Sequence, residues 1–280
     1  MFEMSTNDNL LVDNLNDQYN LVPLYEGKII HQYDHHWATY EDGNIRKLTL
    51  AEKRNPNCRV MPRHWIDKAE VESWLSGKWD REWIIGFRRI TKSTDERTAL
   101  FSLIPKVAVN DSINLLFTTI YQAPLASCLL GCLNSLIFDF VTRQKVGGAH
   151  LNPFILKQLP VIPPHNYTNK DISYISSRVL ELTYTSWEMK PFAEDMGYEG
   201  EPFIWNEGRR AKLRAELDAY YAKLYGLTRD ELRYILDPKD VYGEDFPSET
   251  FRVLKKNEIQ QYGEYRTQRL VLSAWDKLNT

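Results

Sequence analysis

Residues 124–164 read PLASCLLGCLNSLIFDFVTRQKVGGAHLNPFILKQLPVIPP, and this stretch decides how the rest of the chain is parsed. Its first part places Leu125, Cys128, Leu129, Cys132, Leu133, Leu136, Ile137, Phe140 and Val141 at helical spacing. A stripe sustained that long predicts one buried amphipathic helix. Pro124 suits its first turn, where the missing N–H costs nothing. Gly147-Gly148 should lie beyond its end, and Phe154 to Val161 reads as a short strand closed by Pro163-Pro164. Between helix and strand lies Arg143-Gln144-Lys145-Val146-Gly147-Gly148-Ala149-His150-Leu151-Asn152, a basic glycine loop. Lys145 and Arg143 can neutralise phosphates. Gln144 and Asn152 carry the donor–acceptor pair that reads adenine. Gly147 and Gly148 let backbone N–H groups approach a phosphate. The competing reading of this loop is an ordinary surface turn.

On the N-terminal side, Ile29 to Tyr33, Trp83 to Phe87, Ala99 to Ile104 and Asn114 to Thr118 are rich in β-branched and aromatic residues and predict strands. Arg88-Arg89 follows the second of these. On the C-terminal side the pattern turns helical, over 171–187, 207–225 and 264–278. Thr228-Arg229-Asp230-Glu231 is a capping box for a further helix that must stop before Asp237-Pro238. Gly226 is a good helix stop. The chain therefore reads as α+β: a linker or disordered stretch over 1–20, a mixed α/β domain over 21–166, and a helical region over 167–280.

The 280 residues are 43% hydrophobic and 26% charged, an ordinary globular balance with room for a core. No apolar run approaches the ~20 residues of a membrane span, and the polar, acidic N-terminus is no signal peptide. Three cysteines make no disulfide framework, which points to the cytoplasm. The net charge of −3 is unevenly spread: −5 over 1–27, +6 over 28–170 and −4 over 171–280. A basic middle is compatible with one surface facing DNA.

Several chemistries find no support. His31 and His35 have the i, i+4 spacing of a zinc pair on a helix, but their surroundings favour strand, so no metal site is expected. Cys128 and Cys132 fall on the apolar stripe and read as packed thiols. Glu188-Met189-Lys190 matches half of a nuclease metal site, with no Pro-Asp pair to complete it. The chain has no Gly-x-Gly, P-loop, nucleophile elbow or Cys-x-x-Cys. It also lacks the Asn/Asp-Pro-Pro-aromatic loop that holds a flipped adenine; Asn55-Pro56-Asn57 and Asn152-Pro153-Phe154 each want the second proline. No catalytic residues are assigned.

A helix with Leu133-Asn134-Ser135, a glycine loop, and a run into Pro160-Val161-Ile162-Pro163-Pro164 resembles the specificity domain of TaqI-like adenine methyltransferases. Longer strings resemble the C-terminal target-recognition region of Eco57I-type restriction-methylases and of the PglX methyltransferases of BREX defence. They are Leu24 to His35, Asp95-Glu96-Arg97-Thr98, Arg143 to Asn152, Ile155 to Pro160, Arg178 to Tyr184, Arg209 to Asp218 and Tyr262 to Thr267. The resemblance runs from about residue 21 onward. It implies Arg after Asp34-His35, where this chain has His36. It implies duplex DNA as partner, and a separate catalytic domain or subunit that uses S-adenosylmethionine to methylate adenine at N6. Residues and resemblance together nominate Lys28, His31, His35, Arg88, Arg89, Arg97, Arg143, Gln144, Lys145, Gly147, Gly148, His150 and Asn152 as DNA-facing. The rival expectation is a protein-interaction or scaffold subunit of a defence complex, docking through its acidic helical half to other defence proteins.

Overall fold

The described residues form eight short strands, several of them rich in β-branched and aromatic residues: β1 (Leu21–Tyr25), β2 (Ala38–Glu41), β3 (Asn44–Lys47), β4 (Trp65–Asp67), β5 (Trp83–Arg88), β6 (Phe101–Pro105), β7 (Ala108–Val109) and β8 (Ile113–Leu116). The helices are α1 (Leu50–Arg54), α2 (Lys68–Leu75), α3 (Ala123–Asn134), α4 (Leu136–Lys145), α5 (Pro153–Leu156), α6 (Asn169–Thr183), α7 (Lys190–Asp195), α8 (Glu207–Leu224), α9 (Arg229–Leu236), α10 (Pro238–Tyr242), α11 (Arg252–Tyr262) and α12 (Arg266–Leu278). The fold is thus α+β with a helical C-terminal region. This computed structural model describes residues 1–2, 10–12, 20–118, 122–247 and 249–279. Most of the N-terminal stretch read as a linker lies outside the described residues. Within it, Phe2 is buried and donates its N–H to the Val109 carbonyl, and Val12 pairs with Trp65.

Two compact units interleave along the chain, where the sequence reading placed consecutive domains meeting near residue 166. One comprises 1–90, 100–130 and 179–205; the other comprises 91–99, 131–178 and 206–280. The first holds every strand. β5 lies between β6 and β8, antiparallel to both. Trp83, Ile84, Ile85 and Phe87 are all buried, which is why this strand is a continuous apolar run rather than an alternating one. β1 lies between β4, antiparallel, and β7, parallel. β2 and β3 form a hairpin whose turn, Asp42-Gly43, has φ +49° and +75°. That is the conformation of a two-residue hairpin turn of the primed type, and it requires residues tolerant of positive φ. The Trp83 indole donates to Asp195 at 2.8 Å and meets Phe192 edge-on, so residues 179–205 cover this unit's core.

In the second unit α12 packs along α8, and α4 packs on α8 and α9. Leu213, Leu217, Tyr221, Leu232 and Val271 form the interior. Gly131 is required there: a Cβ would stand 2.9 Å from the Tyr221 hydroxyl. The capping box at Thr228 is present, and Gly226 has φ +74°.

Three sequence expectations are corrected. The single helix of 124–141 is two, α3 and α4, bent by 55° at Ser135. Of the stripe, Cys128, Cys132, Leu133, Leu136 and Ile137 are buried, while Leu125, Leu129, Phe140 and Val141 are half-buried. At the break the Ser135 hydroxyl accepts the Phe138 N–H, and Asp218 accepts the Leu136 N–H at 2.7 Å, so two of the freed backbone donors are satisfied. Ile29 to Tyr33 is a tight turn, not a strand. Ile29 donates to Glu26, His31 and Asp34 exchange backbone bonds, and Tyr33 has φ +57°. Phe154 to Val161 is also not a strand. Pro153 pre-sets the first turn of α5, and Pro160, Pro163 and Pro164 offer no N–H to a ladder. Among the described residues no single helix is long and apolar enough to cross a membrane.

Candidate nucleic-acid interface

The loop between α4 and α5 is held at both ends by its apolar residues, since Val146 and Leu151 are buried. Its middle is tied by the Thr91 N–H, which donates to the Ala149 carbonyl at 3.1 Å. Between Val146 and Leu151 the residues Gly147, Gly148 and His150 are exposed, as are Gln144 and Lys145 just before, and Asn152 just after is half-buried. An open concavity of about 380 Å³ lies here. It is lined by Lys145, the run Gly147 to His150, Asn152, and Phe154, Ile155 and Gln158. Lys145 makes no ion pair among the described residues, so its ammonium is available to an anion. Neither Gly147 nor Gly148 has positive φ, and a Cβ on either would meet nothing within 4 Å. Their lack of side chains opens the surface rather than relieving a clash.

Arg143, from the same sequence run, points the other way. Its guanidinium donates to the carbonyls of Ser93, Asp95, Glu96 and Thr250 at 2.8–3.0 Å and lies over the Phe251 ring. Burial pulls its pKa below the ordinary arginine value, opposed by Asp139. Asp139, fully buried, also pairs with Arg97 at 3.0 Å and accepts the N–H groups of Thr98 and Ala99. Arg97 further donates to the Asn134 carbonyl. Two of the nominated arginines are therefore engaged internally, and a phosphate would have to displace those bonds to reach them.

The remaining nominees lie in the first unit. Lys28 is exposed. His31 stacks on Trp37. Arg88 donates to the Ile30 carbonyl, and Arg89 lies 3.4 Å from Asp111. His35 is buried, with its Nε2 2.9 Å from the Ser186 hydroxyl and 3.8 Å from Glu188. His36 is buried 3.0 Å from Asp34, which also pairs with the buried Lys53. Burial pushes the Glu188 carboxyl up to about 7, with Arg59 opposing. Among the described residues no group of three or more His, Cys, Asp or Glu is placed to hold a metal ion.

The structure adds Phe154 and Gln158 to the loop face, two residues that a strand over 154–161 would have placed differently. The signal was present as Asn152-Pro153, a polar residue followed by proline, which opens helical turns. No protein-family model, curated protein or solved structure matches this chain.

Proposed function

We propose that this chain reads duplex DNA as the target-recognition part of an adenine-N6 methyltransferase from a restriction-modification or phage-defence system. The observation that supports DNA reading best is the loop face. Lys145, which makes no ion pair among the described residues, two open glycines and the Asn152 amide line one open concavity, and the exposed Gln144 precedes it in the chain. Phosphate contacts contribute affinity without regard to sequence, whereas amides read base edges. The methyltransferase context rests on the sequence resemblance, and S-adenosylmethionine belongs to the separate catalytic domain or subunit.

Binding of labelled duplexes across a salt series tests the reading. Lys145→Ala should lower the slope of log affinity against log salt by about one. Gln144→Ala or Asn152→Ala should shift preference among sites by ~1–3 kcal/mol with the slope nearly unchanged. If Lys145→Ala and Gln144→Ala bind every duplex as the parent does, at low and moderate salt, the assignment is lost.

A further inference from the structure

An aromatic ring left in water beside a polar wall needs a reason, and Phe154 is 63% exposed, more than any other phenylalanine among the described residues. It stands on α5 at the concavity, where its neighbours are Lys145, His150, Asn152 and Gln158. Asn152 is the residue preceding α5, and its backbone carbonyl accepts the Ile155 and Leu156 N–H groups. Its carboxamide makes no capping bond, although an asparagine there ordinarily spends its side chain on one. Gln158 donates its amide N–H to the Phe154 carbonyl at 3.0 Å, which orients the amide and leaves its oxygen as an acceptor. One flat apolar face, two amides and one cation thus surround a space of about 380 Å³. That is near the small end of ligand sites, roughly 300–1,000 Å³.

We infer that this concavity takes a single unstacked nucleobase, its ring against Phe154, its edge against Asn152 and Gln158, and its phosphate at Lys145. The inference rests on the DNA-reading proposal and deepens it. A nucleobase is the ligand with this combination of features: a planar apolar face, donors and acceptors around its rim, and an anion attached. An apolar side chain of a partner protein would strand the amides without partners.

The test uses the full chain and two duplexes of one sequence, one fully paired and one with a single bulged fluorescent adenine analogue. A bulged base is already unpaired, so extracting it costs least. The parent should favour the bulged duplex and quench its emission. Phe154→Ala should weaken binding to the bulged duplex by roughly ten- to a hundred-fold, the loss of one base–aromatic stack, while binding to the paired duplex changes little. Phe154→Trp should keep the preference. Gly148→Ala, whose methyl meets no protein atom within 4 Å, should reduce the preference with the thermal midpoint unchanged. Equal binding of both duplexes, with Phe154→Ala indistinguishable from the parent, overturns the base site and leaves DNA reading standing. Binding to neither duplex overturns DNA reading and the base site with it.

Discussion

Asp139 concentrates more of the second unit's electrostatics than any motif in the sequence advertises. It has no exposed surface, and it holds Arg97, Arg143 and two backbone N–H groups. Removing it strands two buried cations, so Asp139→Ala should cost about 3–5 kcal/mol in a urea titration. Arg143→Ala should also destabilise the fold; under the proposed DNA reading it should leave the salt slope of binding unchanged, in contrast to Lys145→Ala. A fall in slope equal to that of Lys145→Ala would mean that Arg143 leaves its carbonyl cage for phosphate. Glu188 works in the opposite sense. Its folded-state value, about 7, lies above the ordinary 4.5, so the folded chain binds that proton more tightly than the unfolded one. The resulting stability is complete below about pH 4.5 and is lost as pH rises through about 7. Glu188→Gln should therefore flatten the pH–stability curve over that window and stabilise the chain at pH 8 by on the order of 2 kcal/mol. A variant that tracks the parent's curve at every pH would remove Glu188 from the account.

At the level of elements, what the sequence revealed was periodicity, and what it hid was the partner. The Cys128–Ile137 stripe is legible because its apolar residues fall at helical spacing, whereas the unbroken burial of residues 130–139 is not. Leu133→Ala or Leu136→Ala should each cost roughly 2–5 kcal/mol; a loss below about half a kcal/mol would contradict their placement in the core. The break at Ser135 is not legible, because one of the groups that caps it is Asp218, 82 residues away. Ser135→Ala should cost ~1 kcal/mol for the lost cap, measured by thermal melting; a neutral result would assign the bend to Asp218. The turn at 29–34 was hidden for the same reason: its β-branched residues are buried, but Lys53 and Asp34 set its shape from α1 and the turn itself. Of the loop face, Lys145, Gly147, Gly148, His150 and Asn152 were readable as chemistry. The inward turn of Arg143 was not, since four carbonyls from two distant segments decide it.

At the scale of the whole molecule, neither unit is a contiguous segment. Lys53 lies 4.3 Å above the Trp205 ring, and Trp83 bonds Asp195, so the strand-bearing unit is finished by residues 179–205. Chains cut at residue 166 and made as two pieces should each fail to give a cooperative unfolding transition by near-ultraviolet circular dichroism. Sharp melting of either piece alone would show that the interleaving is dispensable. The same arrangement constrains synthesis. The last strand ends at Leu116, and Trp205 is added 89 residues later. At ribosomal rates of about 5–20 residues per second, that interval lasts roughly 4–18 s. For most of it the Trp83 indole lacks Phe192 and Asp195, the partners that it meets in the folded chain. The order in which this polypeptide leaves the ribosome therefore sets when the strand-bearing unit can close over Trp83.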